Sequence, residues 1–144
     1  MTPHRVFIVG HEGTTGLRIH ERLSDRKDIE LLATADEDRK NVEAIKVVAK
    51  KADLVFLCLP DVASKEIMAA IGDFPCKVID TSTAFRTTAG WAYGFPELGE
   101  SYKTDIATKK HIANPGCHAS GTIACIAPLV KAGLVPADYP FTIT

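Results

Sequence analysis

The chain of 144 residues is 46% hydrophobic and 24% charged, the composition of an ordinary globular domain with material for a substantial core. A net charge of −1 without a dense Lys/Arg tract excludes an electrostatic footprint for nucleic acid or an anionic membrane, and no apolar run approaches the roughly twenty residues of a membrane span, so small-molecule chemistry is favoured. Cys58, Cys76, Cys117 and Cys125 lack C-x-x-C spacing and no signal peptide precedes them, so neither a disulfide framework nor a metal cluster is expected and the compartment reads as reducing cytoplasm.

In chain order, residues 5–9 (Arg-Val-Phe-Ile-Val) are a buried-strand run leading straight into Gly10-His11-Glu12-Gly13-Thr14-Thr15-Gly16, and a helical pattern through Leu17, Ile19, His20 and Leu23 follows. A glycine turn between strand and helix is the context of a phosphate cradle, which makes Gly10, Gly13, Thr14, Thr15 and Gly16 cofactor-binding candidates; a plain tight turn would carry the same G-x-x-G-x-x-G spacing. Residues 29–35 are a second strand. Asp36 lies twenty residues past Gly16, where a dinucleotide fold meets the adenosine ribose. Beside it, Arg39 and Lys40 can neutralise a 2′-phosphate, which favours NADP(H) over NAD(H); a solvated charged turn is the alternative, and the choice of cofactor stays open.

Val42, Ile45, Val48 and Ala49 mark an amphipathic helix. Residues 53–59 read as a central strand stopped by Pro60, with Asp61 as N-cap of a helix through Val62, Ile67, Met68 and Ile71, and residues 77–80 form the next strand. Apolar strands alternating with helices predict a doubly wound α/β fold, a Rossmann-like parallel sheet of five strands with ligands at the strand C-terminal ends. The long irregular stretch holding Thr81 to Arg86 and Tyr93 to Leu98 has the length of a site loop. In it, Arg86 can fork onto phosphate or carboxylate oxygens or can be a surface arginine, while Trp91 and Tyr93 fill a core edge.

The run Ala113-Asn114-Pro115-Gly116-Cys117-His118 places a cysteine where the helical spacing of Ile123, Ile126, Ala127 and Val130 begins. In or just before the first turn, unpaired N–H groups and the positive end of the helix dipole favour a thiolate, so Cys117 is the nucleophile candidate against the alternative of a small packed residue. His118 lies about 100° round the helix, which suits capping or solvent better than base catalysis. Cys58, Cys76 and Cys125 sit in apolar patterns and are expected to be buried. Pro128 has no N–H for the Ala124 carbonyl, so a kink or an early helix end is expected there.

Five strings in this order, Gly10 to Leu17, Cys58-Leu59-Pro60-Asp61, Ile79 to Arg86, Tyr93 to Leu98 and Asn114-Pro115-Gly116-Cys117, resemble the N-terminal part of N-acetyl-gamma-glutamyl-phosphate reductase in its shorter form. The resemblance covers nearly the whole chain. It implies NADP(H) over the glycine turn and the Cys58-Leu59-Pro60 strand end, with Ser82 among the cofactor contacts, Cys117 as nucleophile, and Arg86, Asn114 and Gly116 around the substrate. It also implies a reductive dephosphorylation in arginine biosynthesis. The Cys117 thiolate displaces phosphate, the thioester accepts a hydride, and the Cys117 N–H and Asn114 side chain serve as oxyanion donors. The small-molecule partner is an acyl phosphate, with neither nucleic acid nor membrane, and the full-length enzyme is expected to be a homo-oligomer. Two features depart from the family. His118-Ala119-Ser120 stands where an aromatic residue and Pro-Thr usually follow the cysteine. The chain also ends at Phe141-Thr142-Ile143-Thr144, within an expected strand of a second domain that would carry the acid/base histidine. Residues 1–116 are thus read as the NADP-binding domain and 117–144 as the nucleophile helix and start of a catalytic domain largely absent here. An aspartate-semialdehyde dehydrogenase-like enzyme and a nucleotide-binding module without turnover are the rival readings.

Overall fold

The computed structural model describes residues 2–143. Six strands form one parallel sheet in the order β2-β1-β3-β4-β6-β5: β1 (His4–Val9), β2 (Ile29–Leu32), β3 (Leu54–Leu57), β4 (Lys77–Asp80), β5 (Ala92–Tyr93) and β6 (His111–Ala113). Four helices lie between strands, α1 (Thr14–Ser24), α2 (Val42–Ala49), α3 (Asp61–Ile71) and α4 (Glu100–Thr108), and a fifth, α5 (Cys117–Lys131), follows β6. Parallel neighbours need crossovers, and the helices supply them. Phe7, Val9, Val55, Leu57 and Val78 pack with Ile45 and Ala49 of α2 and Ile67 and Ile71 of α3 into the main core. On the other sheet face Val6 and Ile8 are buried, whereas Phe56 and Ile79 are only half-buried.

The doubly wound expectation holds, with corrections. The sheet has six strands where five were expected. β5 and β6, two and three residues long, and the helix α4 arise inside or just after the stretch read as irregular. Strands this short get their extended form from pairing, Val78 to Asp80 with His111 to Ala113, and carry no period of their own. Asp61 does not cap α3: Pro60 holds the N-cap position and Asp61 is the first helical residue. Helix α5 neither ends early nor stops at Pro128 but runs three residues further, because a proline costs one internal bond and the following N–H of Ala132 still reaches the Pro128 carbonyl at 2.9 Å. Residues 141–143 form no strand, being exposed and paired with no neighbour, and Thr144 lies outside the described residues.

None of the residues of α5 is buried. Its Ile123, Ile126, Ala127 and Val130 line an open groove of about 840 Å³ with Phe95 and Leu98. Among the described residues no helix is long and apolar enough to cross a membrane.

Candidate active site

Strand order reverses between β1 and β3, so the turns after these strands diverge and leave a crevice at their C-terminal ends. Gly10 follows β1 with φ +83°, and a Cβ there would overlap the Cys58 carbonyl, so only glycine lets the turn pass this close to the end of β3. Gly16 is buried in the first turn of α1, where a Cβ would overlap the Gly10 carbonyl. The Gly13 N–H donates to the Gly10 carbonyl at 3.2 Å and Gly13 caps α1 without a side-chain cap, so the first-turn N–H groups of Thr14, Thr15 and Gly16 are free to meet an anion. A backbone cradle of this kind fits a dinucleotide diphosphate. Beside it a cleft of about 110 Å³ is lined by Gly10, His11, Glu12, Thr34, Arg39, Lys40 and Leu59 among others.

The structure thus brings Arg39 and Lys40 to the glycine turn. Asp36 lies on an exposed 3-10 turn (Asp36–Asp38), away from the cleft lining, and Thr34 lines the cleft instead. Chain reading did not single out Thr34 or Glu12. Glu12 pairs with Arg39, Nη1 donating to Oε1. Cys58 lies at the end of β3, half-buried, with its thiol pushed up to about 11 chiefly by burial; a hydrogen bond with Thr81 opposes this and the nearby Asp80 charge adds to it. Pro60 is exposed at the start of α3.

The second group of residues is built on the ends of β4 and β6. Asp80 is completely buried; its Oδ2 accepts from the Ser82 N–H at 3.0 Å and the Ser82 hydroxyl at 2.6 Å, and the Ser82 Oγ in turn accepts from the Ala84 N–H at 3.1 Å. The Ser82 hydroxyl is therefore engaged within its own loop. Asp80 was passed over in the sequence, although an acidic residue closing an apolar strand two positions before a serine is the spacing of a side-chain-to-backbone turn. Asp61 holds the same loop from the other side, accepting from the Thr83 N–H at 2.9 Å and from the Thr83 hydroxyl, and these donors keep its carboxyl below the usual carboxylate range. Phe85 stacks on Trp91 at 4.1 Å, and Trp91 lies against His111 at 5.1 Å, pinning the far end of the loop to β6.

This loop delivers Arg86. Its Nε donates to the Asn114 carbonyl at 3.1 Å and its Nη2 to the Thr81 carbonyl at 3.3 Å, so the guanidinium bridges β4 and β6. It lies flat against Gly116, where a Cβ would stand 2.6 Å from Nη1. Gly116 is the extended N-cap of α5, and Cys117 is the first helical residue, exposed, as the dipole argument requires. Its Sγ lies 3.4 Å from His118 Nδ1. Angular spacing separated these two side chains in the sequence reading. At a helix start, however, there is no preceding turn to hold the imidazole, and it turns back to the neighbouring sulfur. Asn114 donates its backbone N–H to the Asp80 carbonyl at 2.8 Å and its side-chain amide to the Pro115 carbonyl at 3.1 Å. Cys125, expected to be buried, is exposed, because α5 places no residue in the core. Among the described residues no group of three His, Cys, Asp or Glu could hold a metal ion.

A glycine-turn cradle at a sheet switch point, with a helix-start cysteine and a tethered arginine on the same rim, defines a nucleotide-binding α/β domain. The family described as semialdehyde dehydrogenase, NAD binding domain, matches residues 5–106, and the chain belongs to it. It is 50% identical over 139 residues to the N-acetyl-gamma-glutamyl-phosphate reductase of Chelativorans sp. (strain BNC1), covering 96% of this chain and 45% of that protein. It is also 50% identical over 138 residues to N-acetyl-gamma-glutamyl-phosphate reductase 2 of Pseudomonas putida, covering 96% and 44%. The chain therefore spans about half the length of the curated relatives it matches. Among solved structures, aspartate semialdehyde dehydrogenase II from Vibrio cholerae superposes with a TM-score of 0.70 at 18% identity over 91% of this chain and 47% of that one, a likeness of fold.

Proposed function

We propose that this chain is the cofactor-binding and nucleophile-bearing part of an NADPH-dependent reductase that converts N-acetyl-gamma-glutamyl phosphate to the semialdehyde and free phosphate, a step of arginine biosynthesis. The observation that carries the reading is the placement of the Cys117 thiol at a helix start, 3.4 Å from His118 Nδ1 and one residue from the guanidinium of Arg86. Half-identity to reductases of that name supports the choice of acyl group. NADPH, when bound over the glycine turn, supplies a hydride to the acyl carbon. The chain's own residues do the rest. Cys117 Sγ gives up its proton towards His118 and attacks the acyl carbon; the new C–S bond replaces the C–O bond to phosphate, which leaves with both bonding electrons. Arg86, anchored by the Asn114 and Thr81 carbonyls through Nε and Nη2, presents Nη1 to the phosphate oxygens, and the Cys117 N–H meets the carbonyl oxygen as it gains charge. When the carbon has been reduced, His118 holds the proton that Sγ takes up as the aldehyde departs.

A single-turnover experiment on the chain tests this. With N-acetyl-gamma-glutamyl phosphate and no cofactor, one equivalent of phosphate is expected to be released per chain, and peptide mass spectrometry is expected to find the acyl group on Cys117 and nothing on a Cys117→Ala chain. Steady turnover with NADPH is expected to be slow, about 100- to 10,000-fold below a complete enzyme, because the family resemblance places a further acid/base histidine in the second domain; turnover at the full rate would leave His118 as the principal proton-transfer group. Acylation elsewhere overturns the nucleophile. Equal acylation by aspartyl phosphate favours the aspartate-semialdehyde dehydrogenase-like reading, and no acylation by either favours a nucleotide-binding module.

A further inference from the structure

We propose that Glu12 sets the cofactor preference of the cleft by holding Arg39 in the ligand-free protein and competing with a ligand's 2′-phosphate for it, an inference that rests on the NADP(H) reading above. Glu12 stands inside the glycine turn, immediately before the Gly13 cap of α1, and Arg39 follows the Asp36–Asp38 turn on the far side of the cleft. The Arg39 Nη1 bond to Glu12 Oε1 ties the turn after β1 to the segment after β2, and both residues line the cleft.

The two side chains are 42% and 54% exposed, so water and salt screen the pair and it exchanges readily. A 2′-phosphate brings about two negative charges and three acceptor oxygens against the single charge of a carboxylate, and so wins the guanidinium. The carboxylate it displaces does not leave. It stays on the glycine turn, having lost its partner, and Lys40 is the cleft's other lining cation. A ligand with a plain 2′-hydroxyl has no claim on Arg39 and leaves the Glu12 pair in place. Glu12 therefore weakens NADPH more than NADH, and its removal raises the preference for the phosphorylated cofactor.

Titration calorimetry on the full chain, as wild type, Glu12→Gln, Arg39→Ala and the double variant, with NADPH and NADH, decides the point, with circular dichroism checking that each variant folds. Glu12→Gln is expected to tighten NADPH about three- to tenfold and NADH by less than about twofold. In the Arg39→Ala background most of that gain should vanish, because there is no guanidinium left to release. In the ligand-free chain, the Arg39 side-chain nitrogen signal in an NMR spectrum should move on Glu12→Gln, and in the wild type it should move on adding NADPH but not NADH. Equal tightening of both cofactors, or a full gain without Arg39, overturns the competition. If wild type binds NADPH but Glu12→Gln is indifferent, only this inference falls. If NADPH binds none of the four chains, the cofactor reading falls with it.

Discussion

Thiol chemistry in this chain is decided by where each sulfur sits. Cys117 heads a helix, exposed, with an imidazole nitrogen at 3.4 Å; Cys125 is exposed in mid-helix with neither advantage; Cys76 is buried; and the Cys58 thiol is pushed up to about 11 by burial. Iodoacetamide reacts with thiolate, so accessible sulfur near a helix N-terminus should react first. Peptide mapping after brief labelling at neutral pH is expected to find Cys117 alkylated ahead of Cys125, with Cys58 and Cys76 untouched. Cys58 should begin to react only as the pH rises towards 11, where its thiol loses the proton. If Cys125 keeps pace with Cys117, the helix start confers nothing, and if Cys58 labels at neutral pH, burial does not protect its thiol.

At the scale of elements, the site is a set of turns at the C-terminal ends of β1, β3, β4 and β6, each held by a bond that tolerates little change. A methyl group at Gly16 would overlap the Gly10 carbonyl, which is backbone and cannot swing aside, so Gly16→Ala is expected to lower stability by about 1–3 kcal/mol in denaturant titration. Asp61 gives the same turns a pH dependence. Its carboxyl is depressed in the fold by the Thr83 donors, so its contribution is present above the ordinary carboxylate value near 4 and is lost as pH falls through the lower folded value. Asp61→Asn should flatten the acid limb of the stability curve in that window; an unchanged limb would show that the Thr83 bonds contribute nothing. The long apolar runs of β1, β3 and β4 and the spacing of α2 and α3 were legible because each writes its own period. β5, β6 and α4 were not. The two or three residues of each strand are too few to show alternation, and Glu100 to Thr108 offers only Tyr102 and Ile106 as large apolar anchors. The candidate site was legible where a rare residue stands in a rare place, as at Gly10, Arg86 and Cys117. It was illegible at Asp80, Thr34 and the Cys117–His118 contact, which depend on side-chain directions and on which strand ends become neighbours.

For the molecule as a whole, the cofactor cleft joins segments that lie far apart in the chain, Gly10 and Glu12 after β1, Thr34 and Arg39 after β2, and Leu59 after β3. Unfolding separates these segments, so an unfolded chain cannot present the cradle and a ligand that fills it stabilises the fold by mass action. At a hundred times its dissociation constant such a ligand adds about 2.7 kcal/mol. For a domain of this size each kcal/mol moves the midpoint by roughly 2–4 °C, so NADPH at that excess should raise Tm by about 5–10 °C. NADH at the same concentration should raise it less, because it lacks the phosphate that Arg39 and Lys40 can meet. Replacing Arg39 and Lys40 together by Ala is expected to bring the NADPH shift down to the NADH shift and leave the ligand-free midpoint within about 1–2 °C, since both side chains are exposed. Differential scanning calorimetry reads all three values on one instrument. A shift equal for the two cofactors in the wild type, or one that survives the double replacement, would move the phosphate-reading residues elsewhere in the cleft.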